Sequence, residues 1–118
     1  MKAYHVTFEK YKDSIIKEGL RVSKGGLDGL GVYAWLGPIE KAIKSADISL
    51  SDNHYNFSNE EFDKFLKTLC VFEIEYNELT PISIAWDDYI VFKNAISPEK
   101  LRYMGCFYDL TEKIYMGQ

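Results

Sequence analysis

Four of the chain's eight glycines fall between Gly25 and Trp35, which reads Gly-Gly-Leu-Asp-Gly-Leu-Gly-Val-Tyr-Ala-Trp. Glycine accepts positive φ and lets a second backbone or a ligand come close. The stretch runs straight into the apolar, aromatic Val32-Tyr33-Ala34-Trp35. Read alone, it is first a loop entering a buried strand, and second a loop that brings a small molecule to the end of a sheet. It is not a phosphate-binding loop. It lacks a Gly-Lys-Ser/Thr ending, and a strand-like run follows Gly29-Leu30-Gly31 where a dinucleotide fingerprint opens a helix.

The rest of the chain is read around that stretch. Lys2 to Thr7 is a strand, and Phe8, Tyr11, Ile15 and Ile16 recur at helical spacing up to Glu18, with Thr7 as the expected cap and Gly19 as the stop. Leu20 to Lys24 is extended. Gly37-Pro38 turns into a helix whose apolar face is Ile39, Ala42, Ile43 and Ala46. Ser49 to Ser58 reads as a polar loop with a solvated His54. Asn59 is the expected cap of a helix over Glu60 to Thr68. Cys70 to Tyr76 is a strand with Glu73 and Glu75 on its wet face. Ile82 to Trp86 is a short edge strand or an ordered loop. Tyr89 to Phe92 is a strand, Pro98 begins a turn, and Leu101 to Tyr108 is the last strand. This order predicts an α+β fold on a split antiparallel or mixed β-sheet with short flanking helices, not a doubly wound α/β fold.

The 118 residues are 47% hydrophobic and 15% aromatic, enough for a single domain over 1–118 with a core that needs no disulfide or metal. A net charge of −4 argues against general affinity for nucleic acid or anionic membrane, with Lys12, Lys17, Arg21 and Lys24 as the one local basic group. Cys70 and Cys106 have no metal-ligand spacing and read as reduced thiols of a cytoplasmic protein. No run reaches the ~18 apolar residues of a membrane span, and no signal peptide or membrane partner is expected.

Three islands stand out: Tyr4-His5-Val6-Thr7 with a helix ending Ile16-Lys17-Glu18-Gly19-Leu20; Gly29-Leu30-Gly31-Val32-Tyr33; and Asp87-Asp88-Tyr89-Ile90-Val91-Phe92. In this order they resemble the diphtheria-toxin-like or poly(ADP-ribose)-polymerase-like branch of the ADP-ribosyltransferase superfamily. That branch carries a His, a Tyr and a Glu on three strands. The resemblance rests on some twenty residues between Tyr4 and about Leu101. It implies NAD as a substrate, with no metal. His5, Val6, Thr7, Gly31 and Tyr33 would hold it: His5 on a ribose hydroxyl, the Val6 backbone on the nicotinamide carboxamide, Tyr33 stacked on the nicotinamide ring. Asp88 would replace the catalytic Glu, with Asp87 as its neighbouring candidate, so Asp88, His5 and Tyr33 are the implied catalytic set.

The chain departs from the pattern in three places. Asp88 is one methylene shorter than Glu. Trp86 stands where arginine-modifying relatives carry Glu and Asn- or Rho-modifying toxins carry Gln, which makes Trp86 and Asp87 an acceptor-facing loop of different specificity. Lys44, Ser45 and Asp47 occupy the helix from which a second aromatic closes over nicotinamide. Taken one at a time, His5 and Tyr33 are core residues and Asp88 a turn residue; Trp35 and Trp86 are pocket-rim or structural tryptophans alike. Together they imply a mono-ADP-ribosyltransferase. Its expected acceptor is a protein rather than a nucleic acid. The small size suits a phage or mobile-element effector acting on a host defence protein in the host cytosol. An RNA 2′-phosphotransferase-like enzyme of the same fold and a non-catalytic protein-binding module are the alternatives.

Overall fold

The structure is a computed structural model that describes residues 1–24, 29–86 and 88–116. Residues 25–28 of the glycine stretch, and Asp87, lie outside the described residues. The order is β1 (Lys2–Phe8), α1 (Lys12–Glu18), β2 (Ser23–Lys24), β3 (Leu30–Leu36), α2 (Ile39–Asn53), α3 (Asn59–Leu66), β4 (Leu69–Glu75), β5 (Ile82–Trp86), β6 (Tyr89–Phe92), β7 (Leu101–Cys106) and α4 (Phe107–Met116). Six strands form one sheet in the order β5-β6-β3-β1-β4-β7, with β2 added to β3. Every pairing is antiparallel. The protein is thus an α+β domain with an antiparallel sheet and four helices among the described residues.

Strand alternation divides the core in two. Ala3 of β1 joins Val32 and Ala34 of β3, Phe72 and Ile74 of β4, and Ile90 and Phe92 of β6 on one face. Ile15 of α1 and the bridged pair Leu20 and Ile96 pack there too. Tyr4 and Val71 point to the other face, where they meet Ala42, Ile43 and Ala46 of α2, Leu66 of α3 and Phe107 of α4.

Several expectations are corrected. Thr7 caps nothing, because β1 stays paired with β4 through Phe8↔Leu69. A 3-10 turn over Glu9–Tyr11 then precedes α1. Gly19 does end α1, with φ at +86° and its N–H donating to the Ile15 carbonyl at 2.7 Å. The polar loop from Ser49 is instead the last part of α2, which runs to Asn53 because Leu50 packs inward. His54 is not solvated: its Nδ1 meets the Leu50 carbonyl at 2.8 Å, and its ring centre lies 4.4 Å from Phe65 and 5.0 Å from Phe57. Ser58, not Asn59, caps α3, in a capping box with Glu61. The last strand stops at Cys106, and the chain then forms α4, with Phe107 and Thr111 buried one turn apart. Ile82 to Trp86 is a strand.

Glu73 is also buried, only 8% exposed. Its carboxylate accepts from the Tyr4 hydroxyl at 3.0 Å and pairs with Lys2 Nζ at 3.4 Å. Burial, then the Glu73 carboxylate, pushes the Tyr4 phenol up to about 12.

Gly31 is where β3 passes close to β6. An added Cβ would collide with Val91 Cγ1 and stand 2.9 Å from the Phe92 carbonyl oxygen. Gly31→Ala is therefore expected to destabilise the fold by about 1–3 kcal/mol, the usual cost of overpacking. Urea unfolding followed by circular dichroism measures it; an unchanged midpoint would show that the strands separate freely there.

Candidate functional site

The site is built from the seam between β1 and β3. The two strands pair at Ala3↔Leu36 and Tyr4↔Trp35. One step further on, a side chain takes over: His5 Nδ1 donates to the Tyr33 carbonyl at 2.6 Å. A carbonyl oxygen can only accept, so Nδ1 carries the proton and Nε2 is left as an acceptor. Burial pushes the imidazole below its ordinary value, and the carbonyl bond opposes that shift. His5 stands opposite Phe72 in the register with β4, so its ring belongs to the Phe72 face.

Tyr33 belongs to the other face. Its ring lies on the side of Trp35, two residues along β3, with the Tyr89 ring centre at 5.5 Å. Trp35 pairs with Tyr89 across the sheet, ring centres 4.4 Å apart. Trp86 completes the wall, stacked on Tyr89 at 5.2 Å and 23°. A bulge in β5 makes this arrangement. Ile84 faces Ile90 but Trp86 faces Tyr89, so Ala85 is the extra residue and Trp86 crosses to the Tyr89 face. The Tyr33 hydroxyl donates to the Gly29 carbonyl at 2.8 Å, which ties the end of the glycine stretch to the wall.

Asp88 sits beside this wall, against α2. Lys41 Nζ lies 3.0 Å from Oδ1, and the Ser45 hydroxyl donates to Oδ2 at 3.1 Å. Lys41 and Ser45 are four residues apart on α2, hence on one helix face. The Asp88 backbone carbonyl accepts from Leu36 N–H at 2.8 Å, which anchors the residue at the end of β3. The Lys41 ammonium holds the carboxyl below the usual carboxylate range. Burial pulls the other way, and the Ser45 hydroxyl adds to the lowering.

A groove of about 500 Å³ runs between α2 and the β5–β6 edge, walled by Trp35, Trp86, Asp88 and Ser45 on one part and by Ser49, Asp52 and Asn53 on another. A second hollow of about 360 Å³ shares Trp35, Ser49 and Asn53 with it and is lined also by Val6, Thr7, Phe8 and Phe65. Val6 and Thr7 thus line the hollow that adjoins the groove of Asp88 across Trp35, Ser49 and Asn53. His5 touches Tyr33 through the Tyr33 backbone, while the rings of His5 and Tyr33 leave the sheet on opposite faces. Gly31 sits inside β3 as a packing glycine. Another cleft of about 560 Å³, at Tyr76, Pro81 and Phe92, contains none of these groups. An ionised acid beside stacked aromatics is the arrangement with chemical capacity, so the α2 groove is the candidate site.

Three residues of the site escaped sequence reading. Tyr89 was visible only as a strand residue. Lys41 and Ser45 share a helix face at i, i+4, but nothing along the chain ties that face to residue 88. Among the described residues, no cluster of three or more His, Cys, Asp and Glu could hold a metal ion, and no helix is long and apolar enough to cross a membrane.

The depressed His5 value has a measurable consequence. Below about pH 6.5 the unfolded chain binds a proton at this residue that the folded chain resists, so folding stability falls as pH drops through that value. His5→Gln is expected to flatten the stability profile between pH 7 and pH 5, a window above the ordinary range of the carboxylates. Denaturant midpoints at each pH read this out; a wild-type profile as flat as the variant's would contradict an imidazole held neutral by the fold.

Compared with protein-family models, with curated proteins and with solved structures, the chain matches none of them.

Proposed function

We propose that the protein is an NAD-dependent mono-ADP-ribosyltransferase with an ADP-ribosyltransferase-like fold, acting on a macromolecular acceptor, a protein before a nucleic acid. One observation carries the reading. An ionised Asp88 borders a slot with Trp35 and Trp86, Trp86 stacks on Tyr89, and Tyr89, Val6 and Thr7 line the hollow on the other side of Trp35. Cleavage of the nicotinamide–ribose bond leaves positive charge on the sugar, as in glycoside hydrolysis. A preorganised carboxylate stabilises that charge, and a nucleophile on the acceptor takes the ribose carbon while nicotinamide departs. In this reading Asp88 is the acid, and Tyr33, Trp35 and Tyr89 form the aromatic wall for the nicotinamide. Val6 and Thr7 present backbone to the carboxamide. His5, whose ring leaves the sheet on the opposite face, spends Nδ1 on holding β3 and so positions Tyr33 rather than touching the ribose. Trp86 faces the acceptor. An effector acting in a host cytosol fits the same reading.

A second reading has one observation in its favour. Both carboxylate oxygens of Asp88 are already engaged by α2, as in a protein-binding module that keeps the fold without catalysis.

Incubation with NAD labelled in the adenylate moiety and a cell lysate separates the two. The transferase reading expects free nicotinamide and a discrete labelled protein band, with Asp88→Asn lowering turnover about 10²–10³-fold, the usual effect of losing one electrostatic stabiliser. Tyr33→Ala should weaken NAD binding without removing turnover at saturation. No nicotinamide release from folded protein would leave the binding-module reading standing.

A further inference from the structure

The Asp88 carboxylate sits in an arrangement that works against its proposed task. Lys41 Nζ is 3.0 Å from Oδ1, so the two charges cancel over a short distance. A neutral pair exerts little field on a cation developing nearby, whereas a lone carboxylate at the same place exerts a strong one. The two ends of the pair differ in freedom. The Lys41 side chain is 58% exposed on a flexible stem, while the Asp88 side chain is 25% exposed. Asp88 keeps two further anchors when Lys41 leaves: Ser45 on Oδ2 and Leu36 N–H on its backbone carbonyl. The next lysine of α2 is turned elsewhere, with Lys44 Nζ 5.8 Å from the Tyr115 ring centre.

Resting on the transferase reading, we propose that Lys41 is a latch on Asp88 that a pyrophosphate group releases. In the unliganded protein Lys41 neutralises the carboxylate. When the pyrophosphate of a dinucleotide comes within reach of Lys41, beside the groove that Asp88 borders, the ammonium moves from Asp88 Oδ1 to a phosphate oxygen. Oδ1 is then free to face the ribose, and Ser45 keeps the carboxylate oriented. No bond is made or broken in this step; one ion pair replaces another. Lys41 is a positioning residue, and its ligand chemistry is a phosphate anion. The latch links ligand capture to the charge needed for cleavage, so the acid is exposed only when a dinucleotide is present.

The test uses inorganic pyrophosphate and no NAD. In wild-type protein, pyrophosphate is expected to move the Asp88 ¹³Cγ and Lys41 ¹⁵Nζ resonances with a common midpoint. Lys41→Met should bind pyrophosphate about tenfold more weakly, the scale of one lost charge-assisted contact, and Lys41→Arg should restore most of it. Two results overturn the latch: an Asp88 resonance that stays still at saturating pyrophosphate, or equal pyrophosphate binding by wild type and a folded Lys41→Met. The wild-type titration decides the matter even where the variant fails to fold. The latch and the transferase reading fail separately. Coupled resonances without nicotinamide release from NAD retain the latch and remove the transferase. Nicotinamide release with a motionless Asp88 resonance does the reverse.

Discussion

The hydrogen bond from His5 Nδ1 to the Tyr33 carbonyl is the interaction on which the site depends. β1 pairs with β4 along its whole length but with β3 at only two residue pairs. Along the β1–β3 seam the β3–β6–β5 half of the sheet is thus joined to the β1–β4–β7 half by a short ladder, the Gly37 N–H bond to the Lys2 carbonyl and one imidazole. A partly buried imidazole that donates to a backbone carbonyl does the work of a missing ladder bond and satisfies its own polar nitrogen at the same time. It also sets where β3 stands, and through β3 the aromatic wall of Tyr33, Trp35 and Tyr89.

The two faces of the sheet carry different duties. On the Phe72 face, aliphatic and aromatic side chains pack with α1 and the Leu20–Ile96 bridge. On the α2 face, the same helix is used twice. Ala42, Ile43 and Ala46 form its buried stripe, while Lys41 and Ser45 turn a polar stripe toward Asp88. Small residues in the buried stripe let the helix lie close to the sheet, which brings short polar side chains within reach of the β5–β6 hairpin. The bulge at Ala85 then delivers Trp86 to that side. The groove is a product of helix periodicity on one wall and a broken strand periodicity on the other.

Local pattern explains which elements were legible. Tyr89 to Phe92 is a dense β-branched and aromatic run and forms β6 where expected; Gly19 ends its helix by accepting positive φ. The failures share a cause. Ser49 to Asn53 looks polar, yet a single inward residue, Leu50, carries α2 one turn further. Phe107 and Tyr108 have strand propensity, yet burial of Phe107 and Thr111 at helical spacing wins in α4. Glu73 alternates like a solvent-facing residue, yet Tyr4 and Lys2 come from a neighbouring strand to partner it. In each case a contact distant in sequence outweighs local preference.

The amino-acid sequence alone determined the α+β plan and the strand that follows Asp88, because alternation, helical spacing and glycine placement are local properties of the chain; the candidates His5, Tyr33 and Asp88 came from the resemblance of three short islands to a known family. Only the tertiary structure decided what those residues touch. It set His5 on the Tyr33 backbone, placed the Tyr33 ring beside Tyr89, and brought Lys41 and Ser45 to the two oxygens of Asp88. Those partners lie between 28 and 56 residues apart along the chain, and no local rule relates positions so distant until the sheet and the helix packed on it have closed.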